Sequence, residues 1–241
     1  MMWRKYKPLF EISKHMELVS LTAEILKNDG KGDIYRLLQK TDRVTGKTGL
    51  ELLAEGTKDA DLPFSGGYIL HLVHFHHPWS HRGYLSKASS ADETVKIYAL
   101  AKNKWQNGYR HEALYQLGRA LHLVQDINIP HHAGITAFKG HGKFEKWLTV
   151  HGRKYLVQSG GFYHWEKVFL HPDGKQHYVK ANNIYDWIDY GSHLSFPLFA
   201  KYLAQGRDDK EAFQEMASIV IPHVLRLSAG FLGKFFYEVN I

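Results

Sequence analysis

The sequence contains no cysteine, and this absence excludes two kinds of structure. Disulfide bonds and thiolate metal sites both need cysteine side chains. A metal site in this chain would therefore use histidine, carboxylate or backbone donors. The compartment stays open, because the lack of cysteine says nothing firm about where a protein works.

Long apolar runs are also lacking. No run reaches the roughly 18 residues that a transmembrane helix needs, so we expect no transmembrane segment. The basic start MMWRKYKPLF is not followed by the apolar stretch of a secretory signal peptide. This predicts a cytoplasmic protein if the chain is complete.

Alternating apolar patterns, linkers rich in Pro, Gly or Ser, and internal repeats are scarce too, whereas helical spacing covers most of the chain. One helix is predicted over RHEALYQLGRALHLVQD, and a cap signal at Ser90 begins another. Pro197 and Pro222 predict kinks or breaks in the C-terminal third. HPDGKQHYVK predicts a turn or a small hairpin. The sequence therefore predicts one compact, all-α, multi-helix domain over residues 1–241.

Positive charge and histidine are what the chain has in excess. The formal net charge is +7, which favours anionic partners such as phospholipid head groups or phosphate esters, although solubility alone explains it equally well. Seventeen histidines are present, and they do not form a terminal tag. Several fall in stretches that the pattern predicts to be buried.

The stretch HLVQDINIPHH concentrates four side chains of the kind that bind metal ions. His122 and Asp126 are four residues apart on one predicted helix, so they project from the same face and could bind one ion. Pro130 would end the helix and turn the chain, which could return His132 to the same cavity. Taken alone, the pair would be better explained as a capping histidine with an exposed aspartate.

Further clusters change that interpretation. HGKFE repeats the four-residue spacing, with His141 and Glu145, and His15 lies on the inward face of a helix predicted over EISKHMELVSLTAEILKN. Acids and histidines also crowd one segment, at Asp59, Asp61, His71, His74, His76, His77 and His81. Histidine and carboxylate without thiolate suit Zn²⁺, and several ions need about this many ligands. The sequence therefore predicts a multinuclear metal site.

The order of these motifs resembles the bacterial zinc-dependent phospholipase C family, which includes the phosphatidylcholine-hydrolysing enzymes and the catalytic domain of clostridial alpha-toxin. The resemblance runs from Trp3 to about residue 148. It implies an all-α catalytic domain without a C2 module, enclosing a site for up to three zinc ions. It also implies secretion, in contrast to the missing signal peptide.

Carried over residue by residue, the resemblance implies three ligand sets. The sets are His132, His141 and Glu145; Asp61, His74, His122 and Asp126; and His15 with Asp126 and Trp3. Asp59 is the alternative to Asp61, which is preferred because it directly follows an alanine as in the family. No family ligand matches His71, His76, His77, His81 or His131, and the first four are expected to support the site or lie at the surface.

The N-terminus departs from the family pattern. In the family, the mature chain begins with a tryptophan whose amino group and carbonyl bind zinc. Here Met1 and Met2 precede Trp3, so Trp3 offers only its carbonyl unless both are removed.

The implied activity is cleavage of a glycerophospholipid to diacylglycerol and a phosphorylated head group by zinc-activated water. Asp61 is the candidate catalytic residue, either as a ligand or as a base that orients the water. The expected partner is a phospholipid head group at a membrane surface, and the chain is expected to be a monomer. Tyr6, Leu62 and His71 occupy the positions of the choline pocket, so a choline preference does not follow.

Two alternatives remain. Three-zinc single-strand nucleases or nucleotidases share the metal core but usually carry aspartate where this chain has Glu145. The basic charge and the aromatic residues Tyr68, Phe75 and Trp79 would suit nucleic acid. The other alternative is a non-enzymatic metal-binding or membrane-binding protein on the same scaffold.

Overall fold

The computed structural model describes residues 12–62, 73–136 and 141–241. These residues are mainly α-helical, as the sequence predicts. The helices in chain order are α1 (Ile12–Asn28), α2 (Gly32–Gln39), α3 (Gly49–Ala60), α4 (Ser90–Gln106), α5 (Arg110–Asp126), α6 (Pro130–Ala133), α7 (His141–His151), α8 (Tyr185–Lys201) and α9 (Lys210–Glu238). Trp3, His71 and the aromatic Tyr68 lie outside the described residues.

A short antiparallel hairpin interrupts the helices. Strand β1 (Glu166–Leu170) pairs with β2 (Gln176–Lys180), with Val168 opposite Tyr178. The connecting turn includes Gly174, whose φ of +88° lies in the left-handed region that glycine adopts without strain. The hairpin predicted around HPDGKQHYVK is present, and its first strand begins before that stretch.

The structure tests two helix boundaries that the sequence pattern predicts. α5 has the predicted bounds, but the cap of α4 is Ser89 and not Ser90. The Asp92 carboxylate accepts hydrogen bonds from Ser89 N and Oγ, at 2.9 and 3.1 Å. Both serines stand three residues before an acid, at Asp92 and Glu93, so two overlapping capping boxes were possible. The local sequence could not choose between them.

Of the kinks or breaks predicted at the two prolines, the breaks are wrong. α8 continues through Pro197 and α9 through Pro222. A proline inside a helix forfeits one backbone hydrogen bond, but both helices bury long apolar stretches in the core, and this packing offsets the loss.

The last helix, α9, is apolar enough to need an explanation. Among the described residues it is the one helix whose length and composition would allow it to cross a membrane. However, 72% of its apolar window is buried inside the fold. Packing in the core accounts for this composition, as it does for the central helices of many folded domains.

α5 lies at the centre of the core and packs against α3, α4, α8 and α9, while α1 packs on α3 and α9. The crossing of α3 and α5 is unusually close at two glycines. A Cβ atom at Gly56 would lie 2.0 Å from Tyr115 O, and one at Gly118 would lie 2.1 Å from Leu53 O. Only glycine permits this approach, which brings the C-terminal end of α3 against α5 and so positions Asp61.

Candidate metal centre

Asp126, the last residue of α5, is surrounded by histidines from three other segments and by His122 from its own helix. Its Oδ2 atom lies 2.8 Å from His74 Nδ1, 3.2 Å from His122 Nε2 and 3.7 Å from His132 Nε2. Its Oδ1 atom lies 3.3 Å from His15 Nε2. All five side chains are buried. One oxygen of this carboxylate therefore faces a single imidazole, and the other faces three.

Asp61 joins this cluster from the end of α3. Its Oδ1 atom is 3.4 Å from His122 Nε2, and its Oδ2 atom is 3.8 Å from His15 Nε2. Asp59, the alternative candidate, is only half-buried and accepts a hydrogen bond of 3.1 Å from the hydroxyl of Tyr115. The structure thus brings Asp61 into the cluster and leaves Asp59 outside it.

His132 returns to the cluster because the chain turns sharply after α5. Pro130 occupies the first position of the short helix α6, where its missing N–H costs nothing. His132, two residues later, then lies within 3.7 Å of Asp126. This is the turn that the proline in HLVQDINIPHH predicted.

Hydrogen bonds on the far side of two rings fix how they face Asp126. His15 Nδ1 donates to Gln125 Oε1 at 2.7 Å, and His132 Nδ1 donates to the backbone oxygen of His74 at 3.0 Å. Both rings then present Nε2 towards the cluster, an arrangement typical of metal-binding histidines. Sequence reasoning missed Gln125, whose only signal is its position beside Asp126 on a buried part of α5.

Glu145 contributes a third buried carboxylate from α7. Burial raises the pKa of Glu145 well above its usual value, and the negative charges of Asp126 and Asp61 raise it further. Glu145 is therefore close enough to both to feel their charge. His141 begins the same helix, but its side chain, like all of Trp3, lies outside the described residues.

The donor chemistry fits zinc. Burial lowers the pKa of His122 and of His132 despite the neighbouring carboxylates, which favours the neutral imidazole that binds metals. Ligand atoms of Asp61, His74, His122 and Asp126 lie within 4.8 Å of one another. Two atoms bound to one zinc at about 2.0–2.2 Å stand roughly 3.3 Å apart in tetrahedral geometry. Buried carboxylates grouped in this way need a cation to offset their charge.

This set of buried histidines and carboxylates falls within a matching family model. The model described as "Zinc dependent phospholipase C" matches residues 14–206. The chain belongs to the zinc-dependent phospholipase C family. Zinc dependence is thus a property of its family, and the cluster around Asp126 lies inside the matched region.

Two curated proteins of similar sequence carry the name phospholipase C. Phospholipase C of Clostridium perfringens (strain 13 / Type A) is 28% identical over 167 residues, covering 61% of this chain and 40% of that protein. Phospholipase C of Bacillus cereus is 30% identical over 122 residues, covering 48% of this chain and 38% of that protein. This family member therefore spans less than half the length of the curated relatives it matches.

Solved structures share the fold. The alpha toxin from Clostridium absonum superposes with a TM-score of 0.75 at 22% identity, covering 99% of this chain and 66% of that one. The alpha-toxin of Clostridium perfringens from an avian strain gives a TM-score of 0.71 at 18% identity, covering 94% and 63%. At these identities the likeness establishes the all-α fold of this zinc-dependent phospholipase C family member.

A second group of histidines was not foreseen as a unit. His76 and His81, expected to support the main site or lie at the surface, both face Asp189 of α8, as do His177 and His193. The signal was present in the sequence: Asp189 and His193 have the same four-residue spacing as His122 and Asp126.

Proposed function

We propose that this chain is a zinc-dependent phosphodiester hydrolase of the phospholipase C type, which cleaves a glycerophospholipid to diacylglycerol and a phosphorylated head group. The observation that carries the proposal is the convergence of four buried imidazoles on Asp126 in a chain of this family. The net charge of +7 favours an anionic membrane surface as the place of action.

Up to three zinc ions would be held by the three ligand sets that the family resemblance implies. The arrangement of Asp126 supports a bridging role, because Oδ1 faces His15 while Oδ2 faces His74 and His122. Glu145 and His141, four residues apart on α7, would complete the set that contains His132. Zinc, when bound, would lower the pKa of a water ligand. Its positive charge would also stabilise the negative charge of the phosphoryl oxygens.

Asp61 is the proposed catalytic residue. Its carboxylate is buried, and its two oxygens face His122 and His15 separately. In the proposed hydrolysis, Asp61 orients the attacking water and accepts its proton. The water oxygen bonds to phosphorus, the bond from phosphorus to the glycerol oxygen breaks, and a proton passes to that oxygen. Diacylglycerol and the phosphorylated head group leave as products.

The test uses a matched pair of carboxylates at the end of α3. Purified protein in zinc buffer is incubated with vesicles of phosphatidylcholine, phosphatidylethanolamine or phosphatidylglycerol, and separately with single-stranded DNA. Diacylglycerol and released nucleotides are measured. We expect diacylglycerol from at least one lipid, a loss of about 100-fold or more in Asp61→Asn, and a nearly unchanged rate in Asp59→Asn.

The same experiment separates the alternatives. Release of nucleotides without diacylglycerol would support the nuclease, and bound zinc with no turnover of either substrate would support a non-enzymatic role. One structural observation disfavours the nuclease. Phe75 is buried with its ring stacked on His132 at 5.2 Å between centroids, so it offers no open face to a base.

A further inference from the structure

Asp189 on α8 is the centre of a second histidine cluster, formed by histidines other than those that surround Asp126. Its Oδ1 atom lies 3.0 Å from His76 Nε2, 3.4 Å from His81 Nδ1 and 3.9 Å from His193 Nε2. His177 Nε2 donates to Oδ2. Asp189 itself is fully buried. Four imidazoles therefore surround one carboxylate.

Hydrogen bonding alone does not account for this arrangement. Three ring nitrogens face Oδ1, whereas a carboxylate oxygen has only two lone pairs to offer. His193 is buried, and its Nε2 atom makes no hydrogen bond within the described parts of the chain. A divalent cation beside Oδ1 would engage imidazole nitrogens that cannot all bond to the oxygen.

The distances fit direct coordination on one side of the carboxylate. Ligand atoms of His76, His81 and Asp189 lie within 4.8 Å of one another. Two of the measured separations, 3.0 and 3.4 Å, bracket the roughly 3.3 Å expected between two atoms bound to one tetrahedral zinc. On the other side, the hydrogen bond from His177 to Oδ2 orients the carboxylate, as a supporting partner does in metal sites.

The chain adopts a costly conformation to place His81 here. His81 has φ of +54°, in the left-handed region that a residue with a side chain rarely occupies. Two backbone hydrogen bonds hold this turn, from His77 N to Arg82 O at 3.0 Å and from His81 N to His77 O at 2.9 Å. Strain of this kind persists where the surrounding structure fixes it, and it occurs often at ligand sites.

We infer that Asp189, His76 and His81 form a further zinc site, separate from the cluster around Asp126, with His177 holding the Asp189 carboxylate in place. Nitrogen and carboxylate donors without thiolate suit zinc. His81 is 36% exposed, and it lines a surface depression together with Trp79, His171 and His177. The ion can therefore enter from solvent, and water can occupy its remaining coordination position.

The role of this ion is structural. It joins the segment around His76 to α8, and His177 connects the β-hairpin to the same carboxylate. These parts are far apart in the sequence. His76 N also donates to the backbone oxygen of His132 at 3.3 Å, and His74 is only two residues away. An ion at Asp189 would thus steady the backbone that carries two of the proposed ligands of the other cluster.

Zinc content tests the proposal without reference to any enzyme activity. Wild type, His81→Gln and His164→Gln are dialysed against buffered zinc, and bound zinc per chain is counted by native mass spectrometry. His164 is an exposed histidine away from both clusters and serves as the matched control. We expect His81→Gln to hold one zinc fewer than wild type and His164→Gln to hold the same number.

A second variant assigns the missing ion to its site. Asp126→Asn should lose zinc from the first cluster and still retain the ion that His81→Gln loses, so that the double variant shows both losses. Circular dichroism checks that each variant is folded, and the partial exposure of His81 makes this substitution well tolerated. Equal zinc content in wild type and His81→Gln would overturn the proposal and leave the Asp189 cluster as a network of hydrogen bonds.

Discussion

The close crossing of α3 and α5 makes a strong prediction about Gly118→Ala. The new Cβ atom would lie 2.1 Å from Leu53 O and 3.1 Å from Gly56 Cα. An ordinary contact between carbon and oxygen is about 3.3 Å, so the two helices must separate by about 1.2 Å. Both obstructing atoms belong to the backbone, and no flexible side chain can move aside.

The expected cost follows from two opposing effects. Overpacking of this kind costs about 3 kcal/mol, at the upper end of the usual range, because the backbone itself must move. Alanine regains about 1 kcal/mol through its better helix propensity. We therefore expect Gly118→Ala to lower the free energy of unfolding by about 2 kcal/mol.

The same displacement should weaken metal binding. Asp61 directly follows α3 and lies 3.4 Å from His122 on α5, so a shift of about an ångström separates two proposed ligands of one ion. We expect at least a tenfold loss of zinc affinity, in line with the effect of perturbing groups that position ligands. The ion proposed at Asp189 should be unaffected.

Urea unfolding in the presence of a chelator measures the stability change, and isothermal titration with zinc measures the affinity. Gly32→Ala is the matched control. A Cβ atom there meets only the far end of the flexible Arg36 side chain, at 3.2 Å. Its stability should change by less than about 0.5 kcal/mol. A Gly118→Ala protein as stable as wild type, with unchanged zinc affinity, would refute the argument.

Three further predictions concern other parts of the molecule. Gln125→Leu removes the acceptor for His15 Nδ1 and should lower zinc affinity by about 10- to 100-fold with little effect on the chelated protein. Removal of zinc with a chelator should lower Tm, because buried carboxylates then repel one another without a cation; an unchanged Tm would contradict the proposed centre. Burial raises the pKa of Asp29, but hydrogen bonds from two backbone amides and from Tyr163 outweigh it and lower the pKa. Asp29→Asn should therefore cost about 1–2 kcal/mol above pH ~4, and the difference should vanish as the pH falls through the lowered pKa, whereas exposed Asp33→Asn should cost little.

Local signals in the sequence predicted the helical class and the bounds of the central helix. The pattern in RHEALYQLGRALHLVQD has the period of a helix, and the bounds of α5 agree with it. Patterns failed where two local solutions were equally good, as at Ser89 and Ser90, or where distant packing outweighed a local preference, as at Pro197 and Pro222. In both cases the deciding interactions were absent from the local segment.

The candidate site shows the same division. The spacing of His122 and Asp126 predicted a shared direction, because residues four apart lie on one helix face. It could not predict that His15, from the far end of the chain, would lie 3.3 Å from Asp126, or that Gln125 would orient its ring. Those contacts depend on how α1 packs relative to α5.

The sequence by itself determined which donors are available and, through the absence of cysteine, that any metal site uses nitrogen and oxygen ligands. It also determined the faces on which neighbouring donors lie. Only the tertiary structure decided that Asp61 and not Asp59 reaches His122, and that His76, His81 and His177 meet at Asp189. Helix periodicity is a local property of the backbone, whereas convergence of donors depends on long-range packing, such as the close crossing of α3 and α5 at Gly118.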